Sequence, residues 1–472
     1  MSKGNMNGER TDRARMNGEH REREEYLDTL TGQIRCKMAR RDVAEEFRGH
    51  IEDQTRAFMS EGMERKEAEA LAVREMGDPV EVGNELDKIH RPRMPWGMIA
   101  LIIVLSIIGY LAYRFLNAKC VDGAGDSIID ASPRYRFFIL AGLALMAGVC
   151  FADYTRIGER ARELMAVLLI GCAAGLKFSG VMMNGAIRWI NLGVTQVDVL
   201  ALLMLTVPLY AGILYYYRGS GGRGVIKSVL WPIPGCMIAM LCSGAWMAMI
   251  LMAVYLIVFE IAVLKRWFSI SRRTAFTAGC AAGVGMPAAA LMWMAYAMDS
   301  SYALKRLAII FGVGEEAPYY PRMFVEGLLD GSRLLGKKPG ISDTFMLPVS
   351  PSEITLAGIA GYCGILAALA VAGGLLFLLL RFLRISLKQR NQLGMLMGTG
   401  CAAVFLIQAG IYVANNLGIT YLGTYCPFLS MGGSSTLITY VLLGLLLSIC
   451  RYRNTAPERN PGRAGKEYRT VK

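Results

Sequence analysis

Charge is scarce in this chain of 472 residues: Asp, Glu, Lys and Arg make up 19% of it, against about 25% in soluble globular proteins. Histidine is scarcer still. The three present, His20, His50 and His90, all precede the apolar remainder of the chain. A His base, a His-dependent triad or a His-ligated metal is therefore excluded from that remainder. The 11 cysteines contain no CxxC pair, and their odd number argues against a disulfide framework. Most lie inside apolar runs (Cys150, Cys172, Cys236, Cys280, Cys363, Cys401, Cys450) and read as small packing residues. Residues 1–20 are polar and lack the apolar run of a cleavable signal peptide. No string of carboxylates runs through the apolar segments, which weighs against a proton- or sodium-driven transporter.

What the chain has in abundance is apolar surface. It is 54% hydrophobic, with a mean hydropathy of +0.37 and repeated apolar runs near 20 residues. That pattern predicts an all-α polytopic membrane protein. Ten spans are expected, over residues 96–116, 137–154, 163–178, 197–217, 228–241, 243–264, 274–297, 355–380, 392–413 and 434–450. The fifth is interrupted by Pro232 and Pro234, which spans tolerate where neighbouring helices satisfy the freed carbonyls. The organisation reads as a helical N-terminal module over 1–93, a membrane domain over 94–450 and a basic tail over 451–472.

Charge distribution sets the expected orientation. Residues 1–93 carry a net charge of −3 and the rest +16. Basic loops on a membrane protein mark the cytoplasmic side rather than a nucleic-acid groove, so no nucleic-acid partner is expected. Loops 155–162, 218–227, 265–273 and 381–391 together with the tail hold 21 Lys/Arg; loops 117–136, 179–196 and 414–433 hold four. Both termini are thus expected inside the bacterial cytoplasmic membrane and the long 298–354 loop outside. Within the N-terminal module, Val43, Phe47, Ile51 and Phe58 recur at helical spacing. Asp78-Pro79 reads as a helix start, with Val80, Val82 and Leu86 as its apolar stripe. The segment ALAVREMGDPVEVGNELDKIH resembles the short helical prefix domains found ahead of some bacterial membrane proteins, and reads either as a docking or regulatory module or as a solvated helical extension.

Ionisable residues near the membrane each start as functional candidates. Glu260 is expected to pair locally with Lys265 and Arg266, and Asp153 with Arg156. Lys177 is placed to snorkel. The Gly219, Gly221, Gly222, Gly224 cluster lacks the strand, the helix and the Lys-Ser/Thr of a phosphate loop and reads as a turn. The outer face is richer. NGAIRWINLG, residues 184–193, has Arg188 as its only cation, beside Trp189, Asn184 and Asn191. That composition suits either a phosphate ligand or an interfacial anchor. Glu353 stands just before the eighth expected span, as a helix cap or a general base, with Asp343 a second carboxylate in the same loop. CPFLSMGGSSTL, residues 426–437, ends the last external loop. Its Gly432-Gly433 allows close backbone approach, and Ser434-Ser435 offers hydroxyls.

These three segments, in this order, resemble the shape, elongation, division and sporulation proteins, the FtsW/RodA/SpoVE family. Asn184, Gly185, Ala186, Arg188, Trp189, Leu192 and Gly193 match the family's NGA-R-RW-LG signature. LPVSPSEITLA, residues 347–357, lies on LP-x-x-HTDF-x-F-A, where Glu353 takes the place of the catalytic Asp. PFLSMGGSS, residues 427–435, is similar to PF-x-SYGGSS. The departures are definite: QPDLGT reads WPIPGC here with Ile233 for the acidic residue, QPSE is reduced to a partial TQVDV with Asp198 standing in for the Glu, and HTD is PSE. The resemblance implies a peptidoglycan glycosyltransferase that polymerises lipid II at the outer membrane face, serving cell shape, division or sporulation. Glu353 would be the catalytic base, and Arg188, Asn184, Trp189, Ser430, Ser434 and Ser435 would hold substrate. It also implies undecaprenyl pyrophosphate as leaving group, a possible divalent cation (Mg or Mn) beside Arg188, and a single-span class B penicillin-binding transpeptidase as partner. The altered motifs keep two other readings open: a scaffold or regulator of a cell-wall synthesis complex, and a transporter of lipid-linked precursors.

Overall fold

The computed structural model describes residues 21–121, 131–183, 186–193, 195–242, 245–268, 320–341, 345–346, 350–420 and 424–453, with a few single positions between them. Its contacts divide the chain into two units, one of residues up to Met94 with the segment from Arg451, the other from Pro95 to Cys450.

The first unit is built of α1 (Arg21–Gln33), α2 (Lys37–Ser60), α3 (Arg65–Glu75) and α4 (Pro79–His90). Its core holds Tyr26, Leu27, Leu30, Ile34, Val43, Ile51 and Ala72, with Phe47, Phe58 and Tyr452 packed against it. Asp78 caps α4 by accepting the Val80 N–H at 2.8 Å, and Pro79 fills the first turn. The expected stripe on α4 keeps Val82 and Leu86 but loses Val80, which is exposed. Two residues before Val82, Val80 sits about 200° around the helix from it and faces away.

In the second unit, eight helices among the described residues are long and apolar enough to cross a membrane. They are α5 (Trp96–Asn117), α6 (Ser132–Phe151), α8 (Val199–Tyr216), α9 (Gly221–Leu241), α10 (Ala245–Leu264), α13 (Ile365–Leu387), α14 (Gln392–Asn416) and α15 (Gly433–Arg451). The third expected span is the helix α7 (Ala161–Ser179), which carries Arg162, Glu163 and Lys177 near its ends. The seventh, 274–297, lies outside the continuously described residues. α14 is central, packed by α8, α10 and α13. Two shorter helices, α11 (Tyr320–Leu329) and α12 (Thr355–Cys363), pack on each other.

Three features depart from the sequence reading. The eighth expected span is broken: α12 stops at Cys363, Gly364 adopts φ +103°, and the spanning helix begins at Ile365. The turn at residues 333–336 hydrogen-bonds across the break, Ile365 N–H to Arg333 C=O at 3.0 Å and Gly336 N–H to Cys363 C=O at 3.1 Å. A Cβ at Gly364 would lie 2.7 Å from the Leu334 carbonyl oxygen, so neither the dihedral nor the space admits a side chain. Next, the Asn184–Gly193 region is not a simple loop. β2 (Gly180–Met183), β3 (Ala186–Asn191) and β4 (Gln196–Asp198) form an antiparallel sheet, and β1 (Cys120–Val121) pairs in parallel with β5 (Phe345–Met346). Last, Glu260 makes no pair with Lys265 or Arg266. Among the described residues both its oxygens lack a hydrogen-bond partner; α10 ends at Leu264 and Arg266 turns away at φ +59°.

Candidate functional site

Strand pairing brings the sequence-predicted cation to a carboxylate. Trp189 and Asp198 face each other in the β3–β4 register, so the neighbouring Arg188 reaches across to Asp198. Its Nε–H donates to Oδ1 at 2.8 Å, and its Nη2–H donates to Oδ2. This is a two-point, fork-on-carboxylate pair. The same Oδ1 accepts the Leu200 N–H at 3.0 Å and caps α8. Asp198 thus ends a strand, starts a helix and holds Arg188 with one side chain that is only 10% exposed. Burial pulls the Arg188 pKa down. The hydrogen bond and charge of Asp198, with smaller help from the charge of Glu353, outweigh that and hold it above the usual guanidinium value. The guanidinium carbon lies 5.0 Å from the Trp189 ring centroid.

The Cys426–Ser435 segment ties the other two elements to this one. Ser434 Oγ accepts the Asp198 N–H at 2.9 Å. Thr355 Oγ1 lies 3.2 Å from the Leu429 carbonyl oxygen. Phe428, at φ +68°, turns its carbonyl to the Tyr135 hydroxyl at 2.9 Å and against Gly109 of α5, where a Cβ would sit 2.0 Å from that oxygen. Ser430, expected to contact substrate, is buried and accepts the Cys426 N–H at 2.9 Å. It braces the loop. Ser435 borders a cavity described below.

Glu353 closes a 3-10 turn, Pro351–Glu353, immediately ahead of α12. Its backbone is clamped from α14. Asn416 Nδ2 donates to the Glu353 carbonyl at 3.0 Å, while its Oδ1 accepts the Ala357 N–H at 3.0 Å. Tyr412 Oη donates to the Ser352 carbonyl at 2.8 Å and accepts the Thr355 N–H at 3.2 Å. The side chain of Glu353 is half-buried. Asn184 and Asp343 lie outside the described residues.

Arg188, Asp198 and Ser435 line a cavity of about 40 Å³, together with Gln408 of α14, Trp246 of α10 and Tyr425. Gln408, Tyr412 and Asn416 were not singled out in the sequence, although a signal existed. They recur every four residues, a polar stripe along one face of an apolar span. A divalent cation finds little here. Among the described residues no three His, Cys, Asp or Glu side chains converge, and the guanidinium already occupies Asp198. Among the described residues the donor set does not build a protein-held cation site.

The geometry therefore defines a polytopic helical membrane protein in which the Cys426–Ser435 segment ties the Arg188–Asp198 pair to the turn bearing Glu353. Its fold is shared with two solved structures. One is described as structural coordination of polymerization and crosslinking by a peptidoglycan synthase complex (TM-score 0.59, 21% identity, 76% of this chain and 98% of that one). The other is the rod shape determining protein RodA of Thermus thermophilus (TM-score 0.54, 18% identity, 76% and 97%). The family model described as "Cell cycle protein", FtsW/RodA/SpoVE, matches residues 93–455. The chain belongs to that family. Among its relatives, a probable peptidoglycan glycosyltransferase FtsW of Thioalkalivibrio sulfidiphilus is 25% identical over 82% of this chain and 96% of its own length. One from Enterococcus hirae is 25% identical over 76% and 92%.

Proposed function

We propose that this protein is a peptidoglycan glycosyltransferase that polymerises lipid II at the outer face of the cytoplasmic membrane. The observation that carries the reading is the convergence of three separated signature segments. Ser434 binds the Asp198 backbone and Leu429 meets Thr355, so one loop ties the Arg188 pair to the Glu353 turn. In the proposed reaction the Glu353 carboxylate takes the proton from the acceptor sugar's hydroxyl, whose oxygen attacks the donor's anomeric carbon. The bond from that carbon to the pyrophosphate oxygen breaks, and undecaprenyl pyrophosphate leaves with the electron pair. Arg188, positioned by Asp198, stabilises the charge that develops there. General-base assistance at such a site is worth about 10²–10⁴-fold.

A single-span transpeptidase of the class B penicillin-binding type fits as partner, because the fold relative above comes from a synthase complex that couples polymerization to crosslinking. The direct test is lipid II polymerisation by the purified full chain with candidate transpeptidases. Glycan chains support the enzyme. Lipid II binding without product would assign a scaffold in a cell-wall complex, and movement of lipid II across vesicle bilayers would assign a transporter.

A further inference from the structure

The cavity beside Arg188 contains two polar groups that the fold leaves unmatched. Gln408 is 1% exposed in the middle of α14. Among the described residues its Nε2 reaches only the sulfur of Met204 at 3.5 Å, and its Oε1 has no hydrogen-bond partner. Exchanging the two amide atoms would move the deficit to nitrogen without removing it. On the facing helix α10, the indole N–H of Trp246 is buried and also has no partner among the described residues. Both side chains line the same cavity as Arg188, Asp198, Tyr425 and Ser435.

An unmatched amide in a membrane-spanning helix is destabilising, and a span has many apolar alternatives. Met or Leu at 408 would pack against Met204, Met247 and Ile250, which border the same space. A buried amide kept at this cost, opposite a buried indole N–H and beside a cation, fits a ligand better than it fits a packed core.

We infer that Gln408 and Trp246 form a neutral polar subsite next to Arg188. It takes a hydroxyl or acetamido group of the sugar carried on the substrate's pyrophosphate. The chemistry selects the group. Phosphate oxygens are best held by the guanidinium, whose Nη1 donors remain after Asp198 takes Nε and Nη2. An amide oxygen and an indole N–H are neutral, one accepting and one donating, and match a hydroxyl or acetamide. The cavity holds about 40 Å³, against about 10–15 Å³ for one water, which is room for a single small polar group and not for a whole sugar. This deepens the proposed function and rests on its substrate class, but not on turnover.

The experiment compares the detergent-purified full chain with its Gln408→Met and Trp246→Phe variants. Direct binding is measured to lipid II and to undecaprenyl pyrophosphate, which lacks the sugars, alongside thermal unfolding without ligand. Each variant is expected to bind lipid II about tenfold more weakly, the effect of one buried hydrogen bond left unmade. Binding of undecaprenyl pyrophosphate should be unchanged. Gln408→Met should unfold no lower than wild type, since it removes an unmatched polar group. Equal lipid II binding by wild type and both variants would overturn the subsite. So would equal weakening toward both ligands, or a marked loss of thermal stability in Gln408→Met. A wild type that shows the expected binding pattern but makes no polymer would overturn the polymerase reading and leave the subsite standing.

Discussion

Glu353 and Asp198 are two carboxylates that differ in how the fold holds each. Asp198 is saturated, holding Arg188 at two points and capping α8. That makes it a positioning group for the cation and a poor base. Glu353 is held at its backbone carbonyl by Asn416 of α14. Glu is one methylene longer than the Asp of the related signature, and a base must come within about 2.6–3.2 Å of the proton it takes. At matched membrane levels, Glu353→Gln should reduce lipid II polymerisation to background, whereas Glu353→Asp should retain measurable product. Equal product from the Gln variant would transfer the base role elsewhere. For Asp198→Ala the expectation is different in kind: loss of a helix cap and of a two-point partner, about 1–3 kcal/mol in stability. A lowered unfolding temperature that Asp198→Asn partly restores would show the cap separately from the charge.

At the scale of elements, the decisive contacts are backbone approaches and side chains that clamp backbone. α14 supplies Tyr412 and Asn416 one turn apart, and between them they satisfy Ser352, Glu353, Thr355 and Ala357. Asn416→Leu should leave the Glu353 carbonyl and the Ala357 N–H unpaired, costing about 1–3 kcal/mol for each. The turn bearing Glu353 would loosen, so kcat should fall further than lipid II affinity. A fall in affinity alone would remove α14 from the positioning of the base. Gly364 and Gly109 test the same scale from the other side. Gly364 needs its left-handed dihedral at the α12–α13 break, and Gly109 admits the Phe428 carbonyl. Ala at either position should lower the thermal unfolding temperature, with Gly109→Ala also displacing the Cys426–Ser435 loop.

For the whole molecule, the 21-to-4 distribution of Lys and Arg predicts both termini inside and residues 298–354 outside. Single cysteines placed at Glu61 and Lys337 in a cysteine-free background read this directly. A membrane-impermeant thiol reagent should label the second and not the first in intact cells, and the reverse pattern would invert the topology. The N-terminal unit has its own core of Tyr26, Leu30, Ile34 and Ile51, and none of the residues around Arg188 or Glu353 named above belongs to it. Removing residues 1–90 should therefore leave lipid II polymerisation in detergent near that of the full chain. Loss of activity in a correctly inserted, stably folded deletion would make the unit part of the enzyme.

The membrane class, most helices and three signature segments were legible in the sequence because each rests on local information. Twenty apolar residues must span or be buried, an Asp before Pro starts a helix, and a motif is a run of neighbours. The buried cysteines at 150, 172, 236, 401 and 450 were legible for the same reason, whereas Cys363 is exposed at the helix break that hydropathy did not reveal. The pairing of Arg188 with Asp198 depends on a strand register. The break at Gly364 depends on a turn some thirty residues earlier that donates and accepts across it. The stripe Gln408, Tyr412, Asn416 is visible as a pattern, but its partners lie about 55–205 residues away in sequence. Such contacts are set by which helices pack side by side. Composition and period determine that an element forms; only the packed fold decides which polar groups meet and which remain open to a ligand.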